Sequence, residues 1–182
     1  MEDRLVQILH ANYGNTASAP VYIQSFEVGN LQYINGLTDI RIVQLLDAGG
    51  MPYDFTVSGD LRTYADLAKL DANGLQFIDA YADGVSVDTS LMIPLVSGML
   101  GTPTTLVADV HSLGMEVHAW TFRAENLFLP NEFDSSTNPA EFGDLKGQIL
   151  AFTRLGMDGF FTDQPDLGVA AILSPKPMPD RK

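Results

Sequence analysis

Two stretches constrain the fold more than any others: Gly114-Met-Glu-Val-His-Ala-Trp-Thr-Phe122 and Gly156-Met-Asp-Gly-Phe-Phe-Thr-Asp-Gln-Pro-Asp166. Each opens on a glycine after a helix-like segment, runs through a short apolar strand and ends in polar or aromatic residues. That is the pattern of a parallel β/α unit, in which the strand is buried and chemistry gathers at its C-terminal end. The remainder of the chain repeats the plan. Helical spacing over 3–12 precedes a strand at Val21–Phe26. A helix at Asn30–Asn35 then leads to a strand at Arg41–Leu46. After an irregular stretch at 51–60, two helical segments, 62–70 and 72–81, precede a strand at 82–88. Residues 91–103 hold two glycines and two prolines and read as loop with at most one helical turn. Helices follow at 105–113, 145–155 and 165–173.

Helices alternating with five strands imply an α/β chain with a parallel sheet. Pattern alone leaves two arrangements open, an open doubly wound sheet and part of a (β/α) barrel. The chain has 182 residues, and a complete eight-unit barrel takes about 250. One domain is therefore expected over 1–173, followed by a disordered tail at 174–182, Ser-Pro-Lys-Pro-Met-Pro-Asp-Arg-Lys.

The formal net charge of −13 argues against nucleic acid and anionic membrane surfaces as partners. No stretch is long and apolar enough to suggest a membrane span. The first residues carry no apolar run of signal-peptide length, and the compartment stays open. With no cysteine, thiolate chemistry is excluded. No metal, phosphate-loop, dinucleotide or serine-nucleophile motif is present.

Candidate site residues come from strand alternation. On the Trp120 strand, Glu116, His118 and Trp120 share one face, and Val117, Ala119 and Thr121 share the other, suited to packing under helices. His118 is a candidate proton carrier, although a lone interior histidine is more commonly structural. Gln24 shares a face with Phe26, and Gln44 with Leu46. Two glutamines on neighbouring strands are able to bond a ligand or each other. Asp163 reads either as a helix cap or as a polar group at the strand ends.

Taken as an ordered set, Val21-Tyr-Ile-Gln-Ser-Phe26, Val43-Gln-Leu-Leu46, Tyr81-Ala-Asp-Gly-Val85, Val117-His-Ala-Trp-Thr-Phe-Arg-Ala-Glu-Asn126, Phe128-Leu-Pro130 and Gly156–Asp166 resemble the C-terminal half of glycerophosphodiester phosphodiesterases. The resemblance covers residues 3–173. It implies a partial TIM-type barrel, the last five of eight β/α units. It also implies hydrolysis of glycerophosphodiesters to an alcohol and glycerol 3-phosphate with a divalent metal, Ca²⁺ or Mg²⁺. The family's catalytic histidine pair lies in His-Arg-Gly and His-Asp motifs, and its metal-binding carboxylates lie in part in Pro-Glu-Ile-Lys. None of these occurs here, and Thr89 stands where relatives often carry lysine.

The resemblance therefore implies no catalytic and no metal ligands in this chain, which is expected to be inactive alone. What it retains is a substrate-pocket wall of Gln24, Phe26, Trp120, Arg123, Glu125 and Asp163, with Gln44 and His118 as further candidates. The expected partners are a small glycerophosphodiester and, for an open barrel, a second copy or a missing N-terminal half. Larger relatives are often periplasmic or secreted. The alternative is a non-catalytic α/β domain binding a small ligand or partner.

Overall fold

The computed structural model describes residues 1–173; the tail expectation for 174–182 lies outside them. Five strands form one sheet: β1 (Ile23–Ser25), β2 (Ile42–Leu46), β3 (Gly84–Asp88), β6 (Glu116–Phe122) and β7 (Gly159–Thr162). A separate two-stranded hairpin, β4 (Leu95–Val96) with β5 (Met99–Leu100), lies between β3 and β6 in the chain. The helices are α1 (Glu2–Tyr13), α2 (Val28–Asn35), α3 (Tyr53–Ser58), α4 (Tyr64–Leu67), α5 (Leu75–Asp79), α6 (Thr89–Met92), α7 (Leu106–Ser112), α8 (Leu145–Thr153) and α9 (Pro165–Leu173).

All pairings in the five-stranded sheet are parallel, in the spatial order β1-β2-β3-β6-β7. This order follows the chain without reversal. A doubly wound sheet reverses its order at a switch point, which puts helices on both faces. Sequential order with crossovers of one hand places the helices on one face only. Here α2 packs on β1 and β2, α4 on β2, and α6 and α7 on β6. The doubly wound alternative therefore falls, and the chain is a curled half-barrel. Among the described residues, β1 and β7 each pair along one side only.

The helix-facing side of the sheet carries Ile23, Ile42, Leu46, Val85, Val87, Val117 and Ala119, all nearly inaccessible. Period-2 alternation sends their neighbours inward. The register sets Gln24, Val43, Gly84 and Glu116 in one inner row, with Leu45, Ser86, His118 and Gly159 in the next. Asp88 and Trp120 stand above them. The inner rows are rich in small and polar side chains, whereas the outer rows are β-branched or aliphatic. The core thus sits between sheet and helices.

Three local expectations are corrected. Residues 51–60 contain α3, because Pro52 starts it and Gly59, at φ 79°, ends it. The stretch 91–103 contains the hairpin, whose turn places Ser97 and Gly98 at φ 54° and 81°; such a turn suits the twist of paired strands. The helices within 62–81 are shorter than expected, with α4 ended at Ala68 and α5 opening at Gly74. The chain between α4 and α5 forms tight turns.

Candidate functional site

At the C-terminal ends of the strands, the inner face opens into a cleft of about 240 Å³ lined by Gln24, Phe26, Leu45, Trp120, Thr121 and Phe161. Trp120 forms one wall. Its indole Nε1–H donates to the carbonyl of Ser86 at 3.1 Å, which holds the ring across β3. Phe26, just past β1, meets it edge to face at 5.7 Å and 88°. On its other side Phe26 packs against Tyr64 of α4 at 5.9 Å. Burial, followed by the carboxylates of Glu27, Asp47 and Asp54, pushes the Tyr64 phenol up to about 12.

Thr121 was expected under the helices, and it is exposed at the cleft instead. The β6–β7 ladder has an irregularity between Ala119 and Phe122. Alternation slips there by one residue, so Phe122 is the side chain buried on the helix side, edge to face with Phe152 and Phe160. Leu45 and Phe161 also line the cleft without having been singled out. Phe161 was within reach of the alternation argument, since its neighbour Phe160 faces the helices. Leu45 was reachable as the residue between Gln44 and Leu46, had their face been recognised as the outer one.

The rim carries the polar candidates. Arg123, immediately after β6, donates through Nε to Asp163 Oδ2 at 2.6 Å, and its guanidinium lies 4.2 Å from the Phe128 ring centroid. Asp163 stands two residues before α9, so its carboxylate serves the ion pair. Gln164 accepts from the Ala124 amide at 2.9 Å and brings its Nε2 within 3.4 Å of Glu125. The loop that follows is organised by the buried Asn126. Its Nδ2 donates to the carbonyls of Asn138 (2.9 Å) and Ser136 (3.2 Å), and its Oδ1 accepts from the Ser135 amide (3.1 Å). The β4–β5 hairpin joins this loop where the Asn131 amide donates to the Gly98 carbonyl at 2.8 Å.

Two candidates lie elsewhere. Gln44 is fully buried on the helix side, opposite in face to Gln24, so the two glutamines do not meet. Its Nε2 donates to the carbonyls of Ser25, Phe26 and Leu45, and its Oε1 accepts from the Tyr81 hydroxyl at 2.9 Å. With its bonding capacity used inside the core, Gln44 is a structural residue that holds the Phe26 backbone.

His118 lies one row deeper than Trp120 and is 8% exposed. Tyr22 meets its ring edge on at 5.0 Å, and Glu116 Oε2 stands 3.5 Å from Nε2. Burial holds its pKa below the usual histidine value, against the pull of Glu116 and Asp158. Glu116 also accepts from Arg41 (2.9 Å) and from the Tyr22 hydroxyl (2.6 Å). This closed cluster lies toward the N-terminal ends of the strands, away from the end where barrel enzymes do chemistry.

The donor chemistry does not fit a resident divalent cation, which takes several unpaired oxygens at once. Among the described residues no three His, Asp or Glu side chains converge to hold one. Asp163 is paired with Arg123, and Asp88 accepts from Ser90. Glu116 is shared between Arg41 and Tyr22.

The fold has counterparts in known proteins. A structure assigned as a glycerophosphoryl diester phosphodiesterase from Silicibacter pomeroyi DSS-3 superposes with a TM-score of 0.56 at 16% identity, over 94% of this chain and 43% of its own. A phosphodiesterase of Oleispira antarctica, solved with the product sn-glycerol-3-phosphate, gives 0.56 at 15% identity, over 95% and 49%. The glycerophosphodiester phosphodiesterase GDPD6 of Arabidopsis thaliana is 34% identical over 172 residues. That alignment takes in 89% of this chain and 42% of GDPD6, so the chain spans less than half the length of this curated relative. The model of the glycerophosphoryl diester phosphodiesterase family matches residues 2–167. With nearly the whole described length matched and the half-barrel in agreement, the chain belongs to the glycerophosphoryl diester phosphodiesterase family.

Proposed function

We propose that this chain supplies the substrate-side wall of a barrel that hydrolyses glycerophosphodiesters to an alcohol and glycerol 3-phosphate. In this reading the acid–base histidines and the ligands of a Ca²⁺ or Mg²⁺ ion come from β/α units other than these five, which join at the free edges of β1 and β7. The five units alone then bind without turnover. The observation that supports this best is the cleft itself. It sits at the C-terminal ends of parallel strands, is walled by Phe26, Trp120 and Phe161, and has the Arg123–Asp163 pair at its rim. Phosphodiester hydrolysis needs proton transfer and charge neutralisation at phosphorus. The cleft offers apolar contact and orientation, the part of the work that positions the substrate.

The test is release of glycerol 3-phosphate from glycerophosphocholine by the purified chain, with Ca²⁺ or Mg²⁺ and with chelator. The same chain fused behind the first half of GDPD6 is assayed beside it. No turnover from the chain alone and metal-dependent turnover from the fusion are expected. Metal-dependent turnover by the chain alone would overturn the division of labour.

A further inference from the structure

β1 is an edge strand of three residues, yet side chains tie it across the concave face to β6, three strands along the sheet. At the N-terminal end, the hydroxyl of Tyr22, one residue before β1, donates to Glu116 Oε2 at 2.6 Å. Arg41, one residue before β2, donates through Nη1 to Glu116 Oε1 at 2.9 Å, and its guanidinium lies 4.0 Å from the Tyr22 ring centroid. The His118 ring closes the group, edge on to Tyr22. At the C-terminal end, Phe26, one residue past β1, meets Trp120 of β6. The same two strands are thus joined at both ends, through polar groups below and aromatic rings above.

Neighbouring strands lie about 4.8 Å apart, so the three steps from β1 to β6 measure about 14 Å along the sheet. Tyr22 and Glu116 meet because their bond is a chord across a curled sheet. On β3, which the chord passes, the residue in register with Glu116 is Gly84. A Cβ there would stand 2.5 Å from the Glu116 carbonyl oxygen, so glycine lets β6 come close and leaves the inner face clear. Burial, followed by the hydrogen bond to Glu116, pushes the Tyr22 phenol up to about 12. The hydroxyl therefore stays a donor at neutral pH. A single exposed ion pair would contribute little. Here one carboxylate accepts charge-assisted bonds from residues leading into two different strands, and such bonds are the stronger kind.

We propose that Tyr22, Arg41 and Glu116 form a strut across the concave face that fixes the curvature of the half-barrel and so positions Phe26 against Trp120. The helices shape the sheet from its convex side, and the strut holds the edge strand from within. The three residues are positioning residues, at the end of the strands remote from the cleft. Their consequence for substrate rests on reading that cleft as the substrate-side wall.

The purified 182-residue chain is compared with Tyr22→Phe, Glu116→Gln and the double variant by amide hydrogen exchange and by fluorescence. Tyr22→Phe removes only the hydroxyl. The Ile23 amide, which donates to the Arg41 carbonyl at 2.9 Å, is expected to exchange about tenfold faster in this variant. The Glu116 amide, bonded to the Asp83 carbonyl at 3.0 Å in the middle of the sheet, should keep its rate. Trp120 is the only tryptophan, and its emission should move to longer wavelength as Phe26 withdraws. The double variant should match Glu116→Gln, because both substitutions break the same bond.

Unchanged exchange at Ile23 overturns the strut. An equal rise at Ile23 and Glu116 overturns it too, since that is a global loss of stability. Faster exchange at Ile23 with unaltered Trp120 emission overturns the link to Phe26. None of these readouts needs substrate or further β/α units, so their failure is distinct from failure of the glycerol 3-phosphate assay.

Discussion

The contact between Gly159 and His118 permits a quantitative test of how the inner rows are packed. The two residues are register partners on β7 and β6. A Cβ added at Gly159 would stand 2.8 Å from His118 Cδ2, 3.0 Å from Nε2 and 3.2 Å from Cγ, well inside the optimal carbon separation of roughly 3.5–4.0 Å. The ladder holds both backbones, so the ring has to yield. Tyr22 and Glu116 restrict where it can go. Overpacking of this kind costs about 1–3 kcal/mol, and loss of glycine freedom in the unfolded chain returns about 0.4–1 kcal/mol. Gly159→Ala should therefore destabilise by about 1–2 kcal/mol, a fall of roughly 2–8 °C in melting temperature for a domain of this size.

In a His118→Ala background the ring is gone, and the same substitution should be neutral or slightly stabilising. The assay is a double-mutant cycle by thermal or urea unfolding. Costs that add to within about 0.5 kcal/mol would refute the placement of the imidazole over Gly159, and with it the assignment of His118 to a packed interior row.

Two further outcomes follow from the buried polar groups. Burial holds the folded pKa of His118 below 6.5. As pH falls from about 6.5 toward that lower value, the unfolded chain takes up a proton that the folded chain refuses, and stability is lost. His118→Gln should remove this component, visible as the difference between the two proteins' unfolding free energies over pH 7.5 to about 5; identical pH profiles would sink the assignment. Gln44→Leu strips the Tyr81 hydroxyl and the Ser25, Phe26 and Leu45 carbonyls of their partner. A cost of about 2–4 kcal/mol is expected from groups left unsatisfied in the core, with broadened Trp120 emission as Phe26 loosens. Urea unfolding within about 0.5 kcal/mol of the parent would show that Gln44 does not support that wall.

The alternation of apolar strands and helical segments, and the glycines that separate them, were legible from residues 1–173 because they are local properties. Period-2 and period-3.6 spacing set which residues are able to share a face, and the common face of Gln24 and Phe26, or of His118 and Trp120, follows from spacing alone. Spacing is silent about which of two faces is covered. Gln44 shared a face with Leu46, as expected, but only the helices packed on that face made it core. Thr121 changed sides because the pairing of β6 with β7 slips between Ala119 and Phe122, a relation between segments about forty residues apart.

Arg123 and Asp163 were both placed at the rim by chain order, yet their mutual neutralisation required the ends of β6 and β7 to be brought side by side. Sequence by itself determined the repeat, the parallel sheet and the list of side chains delivered to the strand ends. The tertiary structure decided the curled half-barrel over the doubly wound sheet, and which of those side chains face one another. Strand order and inter-strand register depend on contacts between distant segments, and a local pattern cannot encode them.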